Sequence, residues 1–258
     1  MVVKLPSARF RPIAVNFTKR ARTRTDAIVL HVTASERDSQ HSWFNNPRAQ
    51  ASCHLHVALD GTVEQYVDLD KIAWTSGAGN ARTIGIETAG LGSGEWTPEQ
   101  LDALTSALAW LCDRYDVPAV VMDSSGADER GIGWHRLGIK GNFPDLPSIL
   151  AGYTQRGGGE LWSSSAGKVC PGDDRIRQIP ALVERVHTAL NPPMEEDDMP
   201  LIIRRLGAKN VRRRYALVSG GRAVEIARKS YARLKKRSGQ AAVQLVTADY
   251  DKIVRDWK

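Results

Sequence analysis

Ala27-Ile28-Val29-Leu30-His31-Val32 is an apolar, β-branched run that ends at Thr33. Its composition and length predict a strand buried on both faces. His31 falls at the end of that run, where a side chain can project from the edge of a sheet. Around it the sequence alternates strand and helix signals. His54–Leu59 and Thr62–Val67 flank Asp60-Gly61, which predicts a hairpin with a two-residue turn, both turn residues at positive φ. Thr83-Ile84-Gly85-Ile86-Glu87 reads as a further strand. Thr97-Pro98-Glu99-Gln100 predicts a helix start, with Thr97 as N-cap, Pro98 at the first helical position and Gln100 closing a capping box. Leu101, Leu104, Leu108 and Leu111 then recur at helical spacing as far as Tyr115. A second amphipathic pattern covers Ile176 to Leu190, with Pro180 tolerated near its start. Strands interleaved with helices predict an α/β fold, a central sheet layered with helices.

The chain has 258 residues, enough for one large or two ordinary domains. Hydrophobic residues make up 42% and charged residues 25%, values that exclude disorder throughout. No apolar run reaches the roughly 20 residues needed to span a bilayer. The first residues lack a continuous apolar stretch and a small-residue cleavage site, so the expectation is a chain without a secretory signal. Three cysteines, Cys53, Cys112 and Cys170, are too few and too scattered for a disulfide scaffold.

The net charge of +7 is unevenly distributed. Leu201 to Lys258 holds 16 Lys+Arg and 4 Asp+Glu, a net of +12. Glu195-Glu196-Asp197-Asp198 contributes −4, which leaves −1 for everything else. Prolines 192, 193 and 200 bracket that acidic run. The expected organisation is therefore a near-neutral domain over 1–191, an acidic, proline-containing linker over 192–200, and a basic module over 201–258. The stretch from Gly141 to Gly167 contains Gly157-Gly158-Gly159 but is read as an excursion inside the first domain, not as a second linker.

Six histidines and three cysteines are available as metal ligands. His31 and His135 (in Gly131-Ile132-Gly133-Trp134-His135) both stand at strand ends. Cys170 sits in Gly167-Lys168-Val169-Cys170-Pro171-Gly172, a loop shaped by glycine and proline. A catalytic zinc takes three protein ligands and keeps a fourth position open. Spacings of more than 100 and of 35 residues match no short ligand motif, so on spacing alone two core histidines and an inert buried thiol are the favoured reading over a metal site.

The order of motifs decides between them. Val29-Leu30-His31-Val32-Thr33-Ala34, Ser52-Cys53-His54-Leu55, Asp60-Gly61-Thr62-Val63, Ala73-Trp74, Ile84-Gly85-Ile86-Glu87, Gly133-Trp134-His135 and Lys168-Val169-Cys170-Pro171-Gly172 follow one another. Together, over about residues 25–190, they resemble the type-2 zinc-dependent N-acetylmuramoyl-L-alanine amidases, which are related to peptidoglycan recognition proteins. The resemblance implies a central mixed β-sheet flanked by helices, a shallow groove over it, and one Zn²⁺ on the groove floor. It implies His31, His135 and Cys170 as zinc ligands, and cleavage of the amide between N-acetylmuramic acid and L-alanine. A cysteine as third ligand is similar to the phage lysozyme-type branch; the muropeptide-recycling branch has aspartate there. Glu87 matches the catalytic glutamate of the recycling branch, and Lys168 matches a lysine two residues before the third ligand in both. Cys53 stands where the phage branch has a tyrosine, which moves the general-base role to Glu87. Thr75 stands where many members carry a histidine after the tryptophan.

That division of labour is chemically coherent. A carboxylate moves a proton from water to the leaving nitrogen, and an ammonium beside the developing oxyanion contributes about 3 kcal/mol. His54 and Trp74 are the expected substrate-binding residues, with His54 alternatively bracing the site and Trp74 either a stacking surface for glycan or peptide or an amphipathic residue of the rim. His41, His56 and His187 are read as structural, and Cys53 and Cys112 as plain buried thiols.

In the basic segment, Tyr215–Ser219 and Arg222–Ile226 flank Gly220-Gly221 and predict a hairpin. A helical pattern around Tyr231 and Leu234 and an apolar run from Ala241 to Val246 complete a small α+β module. Its charge suits a polyanion. An anionic wall polymer is the expected partner, beside bacterial peptidoglycan itself. With neither a zinc-finger pattern nor an RNP-like aromatic motif, charge alone speaks for nucleic acid. The whole reads as a phage-endolysin-like amidase, held in the cytoplasm of the producing cell until lysis. The competing readings are a recognition module that binds peptidoglycan without cutting it and an intracellular recycling amidase.

Overall fold

Strand β3 (Ala27–Val32) lies inside a six-stranded mixed sheet, next to its edge strand, and is paired in parallel on both sides. A computed structural model describes residues 2–139, 159–165 and 167–191, together with four backbone strands beyond them. The chain divides into two compact units, Met1–Leu190 and Asn191–Lys258.

In the first unit, β1 (Arg9–Phe10), β4 (Leu55–Val57), β5 (Val63–Gln65), β7 (Thr83–Thr88) and β8 (Gly131–Trp134) join β3 in the order β1-β5-β4-β7-β3-β8. Only β4 and β5 run antiparallel as neighbours; the other pairs are parallel. A separate ribbon pairs β2 (Phe17–Ala21) with β6 (Lys71–Ala73). Leu55, Ile86, Leu30 and Trp134 lie in one register row across the sheet; His56, Glu87 and His31 lie in the next. Side chains alternate faces along a strand, so the apolar row and the polar row are on opposite sides.

Two long helices supply the apolar layer: α2 (Pro98–Tyr115), which follows the single turn α1 (His41–Phe44), and α3 (Asp173–Leu190). Leu104, Leu108 and Leu111 of α2 and Ile176, Ile179, Leu182 and Val186 of α3 share one core with Ile28, Leu30, Ile84, Ile86 and Trp134. Each such buried side chain contributes about 2 kcal/mol of transfer free energy. The capping box forms as the sequence predicts: Thr97 Oγ1 accepts from the Gln100 N–H at 3.1 Å and the Gln100 side chain accepts from the Thr97 N–H at 3.2 Å.

Two local expectations change. The turn at Asp60-Gly61 is wider than two residues, because Ala58 and Thr62 are joined by a backbone hydrogen bond and Gly61 alone is at positive φ, +81°. Gly61 N–H donates to the Ala58 carbonyl, leaving Asp60 at ordinary φ with its carboxylate accepting from the Thr62 N–H. Helix α3 starts three residues before Ile176, so Pro180 lies inside it. Asp173 and Asp174 occupy its first turn, where acidic side chains complement the helix dipole.

The second unit contains a four-stranded sheet of β9 (Leu201–Leu206), β10 (Tyr215–Ser219), β11 (Arg222–Ile226) and β12 (Val243–Val246), in the order β11-β10-β9-β12. β10 and β11 form the expected antiparallel hairpin, with Ser219 opposite Arg222. The linker over 192–200, the helical pattern around Tyr231 and Leu234, and residues 140–158 of the excursion lie outside the described residues. Among the described residues no helix is long and apolar enough to cross a membrane.

Candidate metal centre and active site

Three separate segments bring His31, His135 and Cys170 together. His31 is next to last in β3, and His135 is the first residue after β8, in a 3-10 turn His135–Gly138. Because β3 and β8 are parallel neighbours, both imidazoles emerge at the same end of the sheet, with ring centroids 4.5 Å apart. The Cys170 loop is tied to them by backbone: Arg136 N–H donates to the Cys170 carbonyl at 3.0 Å, and Val32 N–H donates to Cys170 Sγ at 3.3 Å. The three donor atoms all lie within 4.8 Å of one another.

Hydrogen bonding does not account for His31. His31 Nε2 is buried without a partner, and His31 Nδ1 is 3.9 Å from Glu87 Oε1, too long for a hydrogen bond. Burial, reinforced by Lys168, holds both imidazoles neutral, His31 well below its ordinary range and His135 down to about 4. Neutral imidazoles have lone pairs to donate. Burial, and then the Glu87 charge, pushes the Cys170 thiol up, so a thiolate there calls for a cation beside it. Two imidazoles, one of them with an orphaned buried nitrogen, and one thiol fit a tetrahedral metal of the zinc type with one position left over.

Glu87 is the register partner of His31 on β7. Burial pushes its carboxyl up to about 8, opposed by Lys168, and its Oε2 has no hydrogen-bond partner. His31, His135, Cys170, Glu87, Lys168, Trp74 and Thr75 line one cleft of about 260 Å³. Trp74 is half-buried at its wall, its indole N–H donating to Thr18 Oγ1 at 3.1 Å. Exposed Val169 forms part of the lip.

His54 departs from expectation. It is fully buried and does not line the cleft. Gly85 N–H donates to its Nδ1 at 3.0 Å and its Nε2–H reaches the Lys71 carbonyl at 3.0 Å, so both ring nitrogens are engaged. His54 braces the strand that carries Glu87 and does not reach the cleft. Cys53, Cys112 and His56 are buried, and all three cysteines are free.

Three contributors are absent from the motif reading. Trp162 places its carbonyl 3.3 Å from His135 Nε2. Arg82, buried, forms an ion pair with Glu160 at 2.7 Å and donates to the carbonyls of Glu129, Ser125 and Gly126. Arg175, also buried, reaches the carbonyls of Leu91, Ser93 and Pro171 and so clamps one lip of the cleft to the Cys170 loop. The sequence hint for Arg175 is a charge beside the apolar stripe of α3; Trp162 and Arg82 carry no comparable signal.

The fold and cluster define an α/β protein with a candidate metal centre at the end of its central parallel strands. The family described as N-acetylmuramoyl-L-alanine amidase matches residues 21–172, a span holding every one of these cleft residues, and the chain belongs to that family. It is an amidase acting on peptidoglycan. N-acetylmuramoyl-L-alanine amidase A of Achromobacter lyticus is 30% identical over 118 residues, 45% of this chain and 67% of that protein. The solved Staphylococcus aureus hydrolase AmiA, in complex with its ligand, is 18% identical with a TM-score of 0.48, covering 72% of this chain and 85% of that one. N-acetylmuramoyl-L-alanine amidase LysC from Clostridium intestinale is 16% identical with a TM-score of 0.43, over 68% and 97% respectively.

Proposed function

We propose that this amidase is zinc-dependent, with His31, His135 and Cys170 holding the metal, and that it cuts the bond between N-acetylmuramic acid and L-alanine. The observation that carries this reading is the convergence of three donor atoms, two of them on buried histidines, within 4.8 Å of one another beside Glu87 in one cleft. When bound, zinc supplies Lewis acidity for an amide carbonyl and acidifies water.

The chain's own residues supply the rest. Glu87 takes the proton of the attacking water and returns it to the alanine nitrogen as the carbon–nitrogen bond breaks. Its position in register with His31 holds it at the reacting end of the sheet. Lys168 presents an ammonium to the oxyanion that develops on the carbonyl oxygen. Trp74 offers a flat apolar wall for the sugar or peptide.

The cysteine ligand, similar to the phage lysozyme-type branch, supports an endolysin role, and the net charge of +12 over 201–258 supports attachment to an anionic wall polymer. Mass spectrometry of purified walls treated with the protein tests the reaction. New lactyl carboxyls and free L-alanine amines are expected, and they disappear with chelator; walls bound but uncut would reject it. Retention on walls is expected to fall with salt and on walls stripped of anionic polymer. Retention indifferent to both would reject the attachment role.

A further inference from the structure

Gly159 to Ser163, where the chain comes back from the excursion, is fastened at several points. Gly159 bridges Ser125, and Glu160 N–H donates to the Ser125 carbonyl at 3.0 Å while Ser125 Oγ donates to the Glu160 carbonyl at 2.8 Å. The Glu160 carboxylate meets Arg82 at 2.7 Å. Leu161 accepts from the Ala78 N–H at 3.1 Å, and Trp162 N–H donates to the Gly138 carbonyl at 2.7 Å.

The Trp162 indole is buried where two glycines leave room for it. A Cβ on Gly138 would come 2.5 Å from the indole and one on Gly79 2.4 Å from it. The carbonyl is fixed just as closely, since a Cβ on Gly77 would come 2.7 Å from the Trp162 oxygen. That oxygen faces His135 Nε2 at 3.3 Å. A carbonyl only accepts, so Nε2 must carry the hydrogen, and the Nδ1 lone pair is the one left for a metal.

We propose that Trp162, held by this strap, is a positioning residue for His135: its carbonyl selects the Nε2–H tautomer and aims the Nδ1 lone pair at the metal. The inference rests on the metal-centre reading above and concerns a group that touches neither metal nor substrate. Fixing tautomer and ring angle in this way commonly changes metal affinity by about 10- to 100-fold.

Two measurements on the full chain test it. Long-range nitrogen–proton NMR of the metal-free protein is expected to show His135 as the Nε2–H tautomer; a Nδ1–H ring overturns the proposal whether or not zinc binds. Zinc titration against a chelating competitor is expected to show about 10- to 100-fold weaker binding for Trp162→Ala, with Trp162→Phe recovering most of it because the aromatic still fills the glycine cradle. Unchanged affinity in a folded Trp162→Ala overturns it. Should that variant not fold, Gly77→Ala pushes on the carbonyl without emptying the core, and the same loss is expected. A wild-type chain that binds no zinc yet shows the Nε2–H tautomer overturns the metal reading and leaves the carbonyl's control of the ring standing.

Discussion

His31 and Glu87 stand opposite each other in register on adjacent parallel strands, with 3.9 Å between Nδ1 and Oε1. That is too long for a hydrogen bond, and with the imidazole held neutral the carboxyl is not committed to orienting the ring. The other two residues of the cluster have backbone partners: the Trp162 carbonyl faces His135 Nε2, and the Val32 N–H donates to Cys170 Sγ. Glu87 therefore retains an uncommitted oxygen facing the cleft.

Glu87→Gln keeps the shape of that group and removes its capacity to move a proton. The rate of L-alanine amine release is expected to fall by about 10²- to 10⁴-fold. Zinc content, measured by elemental analysis, is expected to stay at the wild-type level. Loss of metal together with rate would instead mean that Glu87 belongs to the ligand set.

Cys170→Ser substitutes a hydroxyl that does not ionise near neutrality. Zinc retained through gel filtration should drop from stoichiometric to trace, and activity with it. Cys170→Asp restores an anionic donor and should recover metal and measurable turnover. Equal metal in the serine variant and wild type would remove Cys170 from the centre.

Acid should destabilise the fold through its neutral buried histidines. Burial, reinforced by Arg22, lowers His54 to about 3, and burial lowers His56 to about 4 against the opposing pull of Glu64 and Asp38. Both values lie below the ordinary 6.5, so the unfolded chain binds more protons in between. Their contribution is complete above pH 6.5 and is lost as pH falls through about 4 and then 3. Each histidine steepens the loss by up to about 1.4 kcal/mol per pH unit. Neither His56 ring nitrogen has a hydrogen-bond partner and the ring stacks on Tyr66, so His56→Leu sacrifices no such bond. Denaturant midpoints from pH 7.5 to 4 should fall less steeply in that variant.

Arg82→Met removes a buried guanidinium and strips donors from the Glu160 carboxylate and three carbonyls. Breaking such a pair from one side costs about 3 to 5 kcal/mol. Glu160→Gln keeps a hydrogen-bonding group opposite Arg82 and should cost about 1 kcal/mol. Equilibrium urea unfolding distinguishes the two; equal costs would show that the ion pair is incidental to holding the strap.

What the sequence made legible was whatever has a local cause. The buried run Ala27–Val32, the cap at Thr97 and the leucine spacing of α2 depend on neighbours a few residues away, and each appears as expected. The candidate ligands were legible only through the order of their motifs, since His31 and His135 are brought together by strand pairing and Cys170 by a distant loop. For His54 the sequence left lining the groove and bracing the site both open, because alternation along a strand says nothing about depth; both its nitrogens are engaged by distant backbone. The tight turn at Asp60-Gly61 was misjudged because only glycine there needs positive φ. Trp162, Arg82 and Arg175 act through backbone carbonyls, which no residue type announces.

The two register rows of the sheet have one more consequence. Shifting β3 by a single residue against its neighbours would turn Leu30 into the cleft and drive His31 among the leucines and isoleucines of α2 and α3. A slipped sheet would thus lose its core and its chemistry in the same step. A chain packed tightly enough to survive has, by that fact, its reactive side chains on the correct face, so stable but chemically misassembled forms of this domain are excluded by the hydrophobic pattern itself.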